Sequence, residues 1–319
     1  MKLTKKWLMI AAALVLAGSL IFVGVMTVLG WDFSKLSSVK YVSNKYDFSV
    51  DFGKISVITD TADVTFAPSY NGKCIVECEE RENGHHTVSV TSEGLVISIS
   101  DQASWQENFG FHFRTPKIKM YLPKTDYDAL LVKASTGNVK VPKDFRFEEL
   151  DITLSTGNAE VAASASTRMS IKTSTGDIDV EDVSVGALDL TVTTGEITVS
   201  DVICKNDANI QVSTGKTKLN NVSCKNLTSN GNTGDVSLTR VVAAEKFSIE
   251  RSTGDVKFDG SDAAELYVQT DTGDVTGSLL TDKIYIVSTD TGKVDVPTTT
   301  VGGQCEIRTD TGDIKIRIQ

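Results

Sequence analysis

The sequence predicts an all-β fold: a parallel β-solenoid (β-helix or β-roll) of about ten coils of 19–20 residues, preceded by one N-terminal transmembrane helix. Three observations lead there. Ten Thr-Gly pairs recur, with glycines at Gly137, Gly157, Gly176, Gly195, Gly215, Gly234, Gly254, Gly273, Gly292 and Gly312, always 19 or 20 residues apart. A period-two alternation of apolar and polar residues flanks each glycine, which is the spacing of strands with one buried face. Finally, the 23 residues from Trp7 to Leu29 carry no charge.

These observations divide the chain. Residues 1–6 read as a cytoplasmic N-terminus, 7–29 as the membrane span and 30–36 as a linker. Residues 37–125 read as an irregular β cap region and 126–319 as the regular repeats. A bilayer core needs about 20 apolar residues in a helix, and the uncharged run supplies them. Lys2, Lys5 and Lys6 precede it, so the positive-inside rule places the N-terminus in the cytoplasm and the C-terminal domain outside. A cleaved signal peptide is the rival reading. Its apolar core is usually about 7–15 residues, and "MTVLGWDF" offers a poor cleavage site.

Aligning the units on glycine shows what recurs. Seven residues before it stand Leu130, Leu150, Met169, Leu188, Ala208, Leu227, Phe247, Leu266, Tyr285 and Cys305. Two residues after it stand Val139, Ala159, Ile178, Ile197, Thr217, Val236, Val256, Val275, Val294 and Ile314. Each unit thus reads as two strands around a glycine turn. A meander of hairpins would also alternate, but it would not demand so strict a period. In a solenoid, equivalent residues stack about 4.8 Å apart, which explains the recurrence, and ten coils make a rod roughly 45–50 Å long. Glycine at the corner permits positive φ, and Asp or Asn beside it can bond the local backbone. "SVITDTADVTF" looks like a divergent corner, with Ala62-Asp63 where Gly-Asp stands elsewhere.

The net charge of −10 argues against a nucleic-acid partner, because phosphate binding needs a Lys/Arg surplus. Five cysteines, Cys74, Cys78, Cys204, Cys224 and Cys305, do not read as a disulfide framework; Cys74 and Cys78 read as small apolar strand residues. Cys204 and Cys224 each follow a corner glycine by nine residues, so stacked coils place one above the other. The histidines are His85, His86 and His112. Adjacent His85 and His86 point to opposite faces of a strand and read as isolated surface residues. Trp105, Phe109, Phe111 and Phe113 read as a plug for the rod's end or as a contact patch.

The strongest candidate site is the column after the corner glycine: Asp177, Glu196, Lys216, Asp235, Asp255, Asp274, Lys293 and Asp313. Asp271, Asp290 and Asp310 add a second carboxylate in the last three units. Stacked carboxylates can bind Ca²⁺, but Lys216 and Lys293 interrupt the column and the glycine-rich calcium nonapeptide is missing. The expectation is therefore no catalytic, cofactor-binding or metal-binding residue, no cofactor, and no enzyme.

The apolar anchor, the "GWDFSKL" linker and the "STGD" and "DTGD" corners together resemble the putative-adhesin domain family of Gram-positive envelope proteins, which includes the LiaG-like proteins, a domain of unknown function. The resemblance covers residues 37–319. It implies a β-solenoid or β-roll ectodomain, no established catalytic residues, and an envelope or adhesion role. The function expected is a membrane-anchored extracytoplasmic β-solenoid, acting as a non-enzymatic binding, adhesin-like or scaffolding module of the bacterial cell envelope, in envelope stress. Expected partners are the membrane, through the helix, and an envelope protein or polysaccharide. Two rival readings stand beside it: a polysaccharide-acting β-helix enzyme, and a self-assembling rod whose open edge is the final strand "DIKIRIQ".

Overall fold

The computed structural model describes residues 2–32, 41–81, 85–99 and 115–319, with side chains from residue 6 onward. His112, Trp105, Phe109, Phe111 and Phe113 lie outside the described residues. One helix, Lys2–Val28, precedes the strands. Its segment Lys6–Val28 has mean hydropathy 2.6 over its most apolar window and is exposed apart from the buried Met26. The helix satisfies its own polar side chains. Ser19 Oγ donates to the Val15 carbonyl at 2.9 Å, and Thr27 Oγ1 donates to the Val23 carbonyl at 2.8 Å.

From Asp126 onward the chain winds as a parallel β-solenoid. The strand Asp126–Thr136 pairs in parallel with Arg146–Thr156, which pairs in parallel with Ser164–Thr175. The register keeps equivalent residues in contact. Leu130, Leu150, Met169, Leu188, Ala208, Leu227, Phe247 and Leu266 form one continuous ladder. Val139, Ala159, Ile178, Ile197, Thr217, Val236, Val256 and Val275 form another. Every member of both ladders is buried. Parallel pairing at a constant offset excludes a chain of hairpins in this region.

The expected two strands per unit are joined in the middle of the rod. Ile178–Thr194 is one strand of 17 residues that runs from corner to corner. Its inward-outward alternation slips at the exposed pair 181–182 and again at the buried pair Val185 and Gly186. The first slip is a second corner. Asp182, Asp201, Asn221 and Arg240, each six residues after a corner glycine, have φ of 54°, 56°, 54° and 51°. Asp and Asn tolerate this left-handed conformation better than most residues, because their short side chains can bond locally.

At the C-terminal end the order of coils differs from the order of sequence. The strand Gly303–Thr311 lies between Val256–Thr272 and Lys283–Thr291. Likewise Ile314–Ile318 lies between Val275–Leu279 and Val294–Asp295. The last coil of the chain is therefore inserted, and the coil of Gly292 is outermost. "DIKIRIQ" is not the open edge. Pro297 supplies a reason. Proline has no amide for a ladder, so its coil is tolerated best at an edge, and pairing of that coil's second strand stops at Asp295. Ile284, Ile286 and Val294 in this coil are exposed.

The N-terminal end is built differently. Tyr41–Phe48 runs antiparallel to Cys74–Arg81, which runs antiparallel to Lys117–Leu122. His86–Thr91 and Gly94–Ile99 form an antiparallel hairpin whose second strand pairs in parallel with Lys54–Thr61. Phe52, Tyr127, Phe145 and Phe147 pack in this half, with the Tyr127 ring 6.0 Å from both Phe52 and Phe147.

Candidate functional site

The corner column is held together by its own side chains. Asp63 Oδ1 accepts from the Asn138 amide at 2.9 Å, and Asn138 Oδ1 accepts from the Asn158 amide at 3.0 Å. Asn158 Oδ1 continues to the Asp177 amide at 2.9 Å, and Asp177 Oδ1 to the Glu196 amide at 2.8 Å. The ladder resumes from Asp235 to the Asp255 amide, then from Asp255 to that of Asp274, at 3.2 and 2.8 Å. It follows the inserted coil: Asp274 to the Asp313 amide, then Asp313 to the Lys293 amide, at 2.7 and 2.8 Å. The acidic column thus joins neighbouring coils, where local turn bonding was expected. Glu196 accepts instead from Lys218 Nζ at 2.6 Å, and Lys216 has no side-chain acceptor. Asp271, Asp310 and Asp290 are exposed two residues before their glycines.

Inside the same corner, Thr173, Thr270, Thr289 and Thr309 each stand three residues before a glycine. Their hydroxyls donate to the carbonyls of Gly157, Gly254, Gly312 and Gly273 at 3.0–3.2 Å. Thr59 occupies the equivalent position before Ala62 at the N-terminal end of the stack. There its Oγ1 lies 2.9 Å from His86 Nε2.

His86 leads to a polar cluster that sequence reasoning missed. His86 Nδ1 is 2.7 Å from Glu80 Oε2, which also accepts from the His86 amide at 2.7 Å. Asn44 Nδ2 donates to Glu80 Oε1 at 2.6 Å. Glu80 is 1% exposed and His86 7%. His86 is therefore a buried, paired histidine rather than an isolated surface one. His85 precedes the strand, and its Nδ1 reaches the same carboxylate, 3.3 Å from Oε1. The opposite-face argument fails because only His86 has begun the strand. The signal in the sequence was Glu80 itself: Cys74, Val76, Cys78 and Glu80 alternate inward along one strand. Burial alone raises the Glu80 carboxyl, but hydrogen bonds from Asn44, the His86 amide and the His86 ring outweigh it and hold the group below its ordinary range. Burial, aided by the Glu80 charge, pushes the Cys78 thiol up to about 12.

Thr59, His86 and Glu80 are ordered like a hydroxyl, base and acid relay. A hydroxyl 5% exposed, on a histidine 7% exposed, is not presented to a polymeric substrate. The geometry is that of a satisfied polar plug.

The five cysteines are free thiols and buried. Val202 pairs with Val222 and Ile203 with Ser223, so the next step of this register sets Cys204 beside Cys224. A short thiol crosslinker is expected to join Cys204 to Cys224 within one monomer in preference to any pair with Cys305. Burial slows the reaction, and peptide mapping after partial opening in mild denaturant reads it. Crosslinks to Cys74 or Cys78, with none between 204 and 224, would contradict the register.

A family profile described as Toastrack DUF4097 matches residues 52–228 and 203–319. Among solved structures, the chain is similar to a putative adhesin from Parabacteroides distasonis at 15% identity, covering 87% of this chain and 98% of that one, with a TM-score of 0.46. It is similar to a putative lipid binding protein from the same organism at 14% identity, covering 88% and 98%, with a TM-score of 0.48. It is also similar to a putative adhesin from Bacteroides fragilis at 15% identity, covering 87% and 97%, with a TM-score of 0.41. No curated protein matches the sequence. With its profile matched from residue 52 to residue 319, the chain belongs to the Toastrack DUF4097 family.

Proposed function

We propose that this chain is a membrane-anchored β-solenoid whose extracytoplasmic rod is a non-enzymatic binding or scaffolding module of the bacterial cell envelope, acting in the response to envelope stress. The observation that carries the reading is an apolar helix, exposed from Lys6 to Val25, joined to a rod whose repeated polar corners are spent on binding coil to coil. A 23-residue helix is about 35 Å long, enough for a bilayer core of about 30 Å. The rod offers broad outward faces of strand residues. One shallow groove, lined by Lys140, Glu160, Asp179, Glu181, Thr198 and Ser200, crosses four coils. The envelope-stress part of the reading rests on the resemblance of the corner motifs alone.

A topology reporter fused after Gln319 is expected to be active only when the rod lies outside the membrane, with the N-terminus retained on the mature chain. A mature chain starting near Trp31 would overturn the anchor. Binding is read by passing solubilised full-length protein over isolated cell-wall polysaccharide and over envelope protein fractions. Shortening of the polysaccharide with time would establish the enzyme instead.

A further inference from the structure

The polar cluster at the N-terminal end contains a third ligand-type side chain. Cys78 is fully buried two residues before Glu80 on the same inward face of Cys74–Arg81. Residues two apart on a strand project to one side, so a thiol and a carboxylate share one approach. His86 arrives from the next strand. One donor atom from each of Cys78, Glu80 and His86 lies within 4.8 Å of the other two.

We propose that Cys78, Glu80 and His86 form a zinc site. Zinc takes thiolate sulfur at about 2.3 Å and imidazole nitrogen or carboxylate oxygen at about 2.0–2.2 Å in a tetrahedral shell. Such a shell holds its ligand atoms roughly 3.2–3.8 Å apart, and the three donor atoms already lie within 4.8 Å of one another. His86 Nδ1 is the ligand, because it already faces Glu80 Oε2 at 2.7 Å, where the ion replaces the shared proton. The other ring nitrogen has the partner that a metal-bound histidine requires: with Nδ1 on the ion, Nε2 carries the ring proton and donates it to Thr59 Oγ1, 2.9 Å away, which fixes tautomer and ring orientation. Asn44 does the same for the carboxylate through Oε1.

Charge balance favours this occupant. A thiolate and a carboxylate neutralise a divalent cation, so the buried site carries no net charge. A mixed sulfur, nitrogen and oxygen set suits zinc better than the oxygen-preferring Ca²⁺ or Mg²⁺. Binding displaces the Cys78 proton, so the affinity rises with pH.

The test uses detergent-solubilised full-length protein, stripped with chelator and re-equilibrated with zinc or cobalt alone. One zinc per chain is expected after gel filtration, with a chelator-reversible rise in melting temperature. Cobalt is expected to give a thiolate-to-metal charge-transfer band. Cys78→Ala removes the band and the bound zinc, His86→Asn removes the zinc, and Cys74→Ala leaves both unchanged. Zinc at buffer background, a cobalt spectrum without the thiolate band, or wild-type binding by Cys78→Ala would each overturn the proposal. Where a variant fails to fold, the wild-type cobalt spectrum alone decides.

Discussion

Gly254→Val is expected to lower stability by about 3 kcal/mol, far more than a surface substitution. Two effects add. Gly254 has φ of +146°, a conformation that a β-branched residue adopts only with strain. A Cβ there would also lie 2.3 Å from the carbonyl oxygen of Gly234 in the preceding coil. That contact is with backbone and cannot be relieved by turning a side chain. It also sits in the coil-to-coil ladder, where the Gly254 amide donates to the Thr272 carbonyl at 2.9 Å. Asp255→Ala is the comparison. It removes only the acceptor of the Asp274 amide and is expected to cost about 1 kcal/mol. Urea unfolding of the two variants measures both. A Gly254→Val loss under roughly 0.5 kcal/mol would mean that the coils are not in van der Waals contact at this corner.

Lys283→Met is expected to cost about 3–5 kcal/mol, because it strands a buried carboxylate. Lys283 Nζ lies 2.7 Å from Asp262 Oδ1, and the two side chains are 3% and 9% exposed. Thr281 bridges them. Its hydroxyl donates to Asp262 Oδ2 at 2.6 Å and accepts from Lys283 Nζ at 2.6 Å. The Ala263 amide donates to Asp262 Oδ1 at 2.8 Å. The pair ties the outermost strand, Lys283–Thr291, to the coil that begins at Gly254. Adding Asp262→Asn to Lys283→Met removes the unpaired charge: the amide oxygen still accepts from the Ala263 amide, and the amide nitrogen donates to Thr281 Oγ1 in place of the lost lysine. The double variant is expected to regain most of the loss. If it is no more stable than the single variant, the cost lies in packing and the ion-pair account is wrong.

The inward columns were legible because a solenoid repeats one environment. A residue at the position of Leu188 meets Met169 on one side and Ala208 on the other, so the sequence shows the same apolar column that the structure buries. The second corner was harder to read. Asp182, Asp201 and Asn221 hold one column, but Arg240 and Gly260 continue it with unrelated chemistry, because the demand there is on φ alone. The Glu80–His86 cluster was partly legible, in a carboxylate set in inward register. Its partner was not: His86 reaches Glu80 across an antiparallel end that has no repeat to align.

The sequence by itself determined the coil: its length, its glycine corner, the inward columns and the apolar helix before it. These follow from local periodicity and sterics, which act on each unit separately. Only the tertiary structure decided the order of the last coils and the contents of the rod's N-terminal end. The physical reason is that every coil presents the same ladder to both neighbours, so periodicity lets any coil stack on any other. The choice among those orders falls to features outside the repeat, namely Pro297 at the edge and the buried Asp262–Lys283 pair. At the other end it falls to antiparallel strands that bring Thr59, Glu80 and His86 within hydrogen-bonding distance.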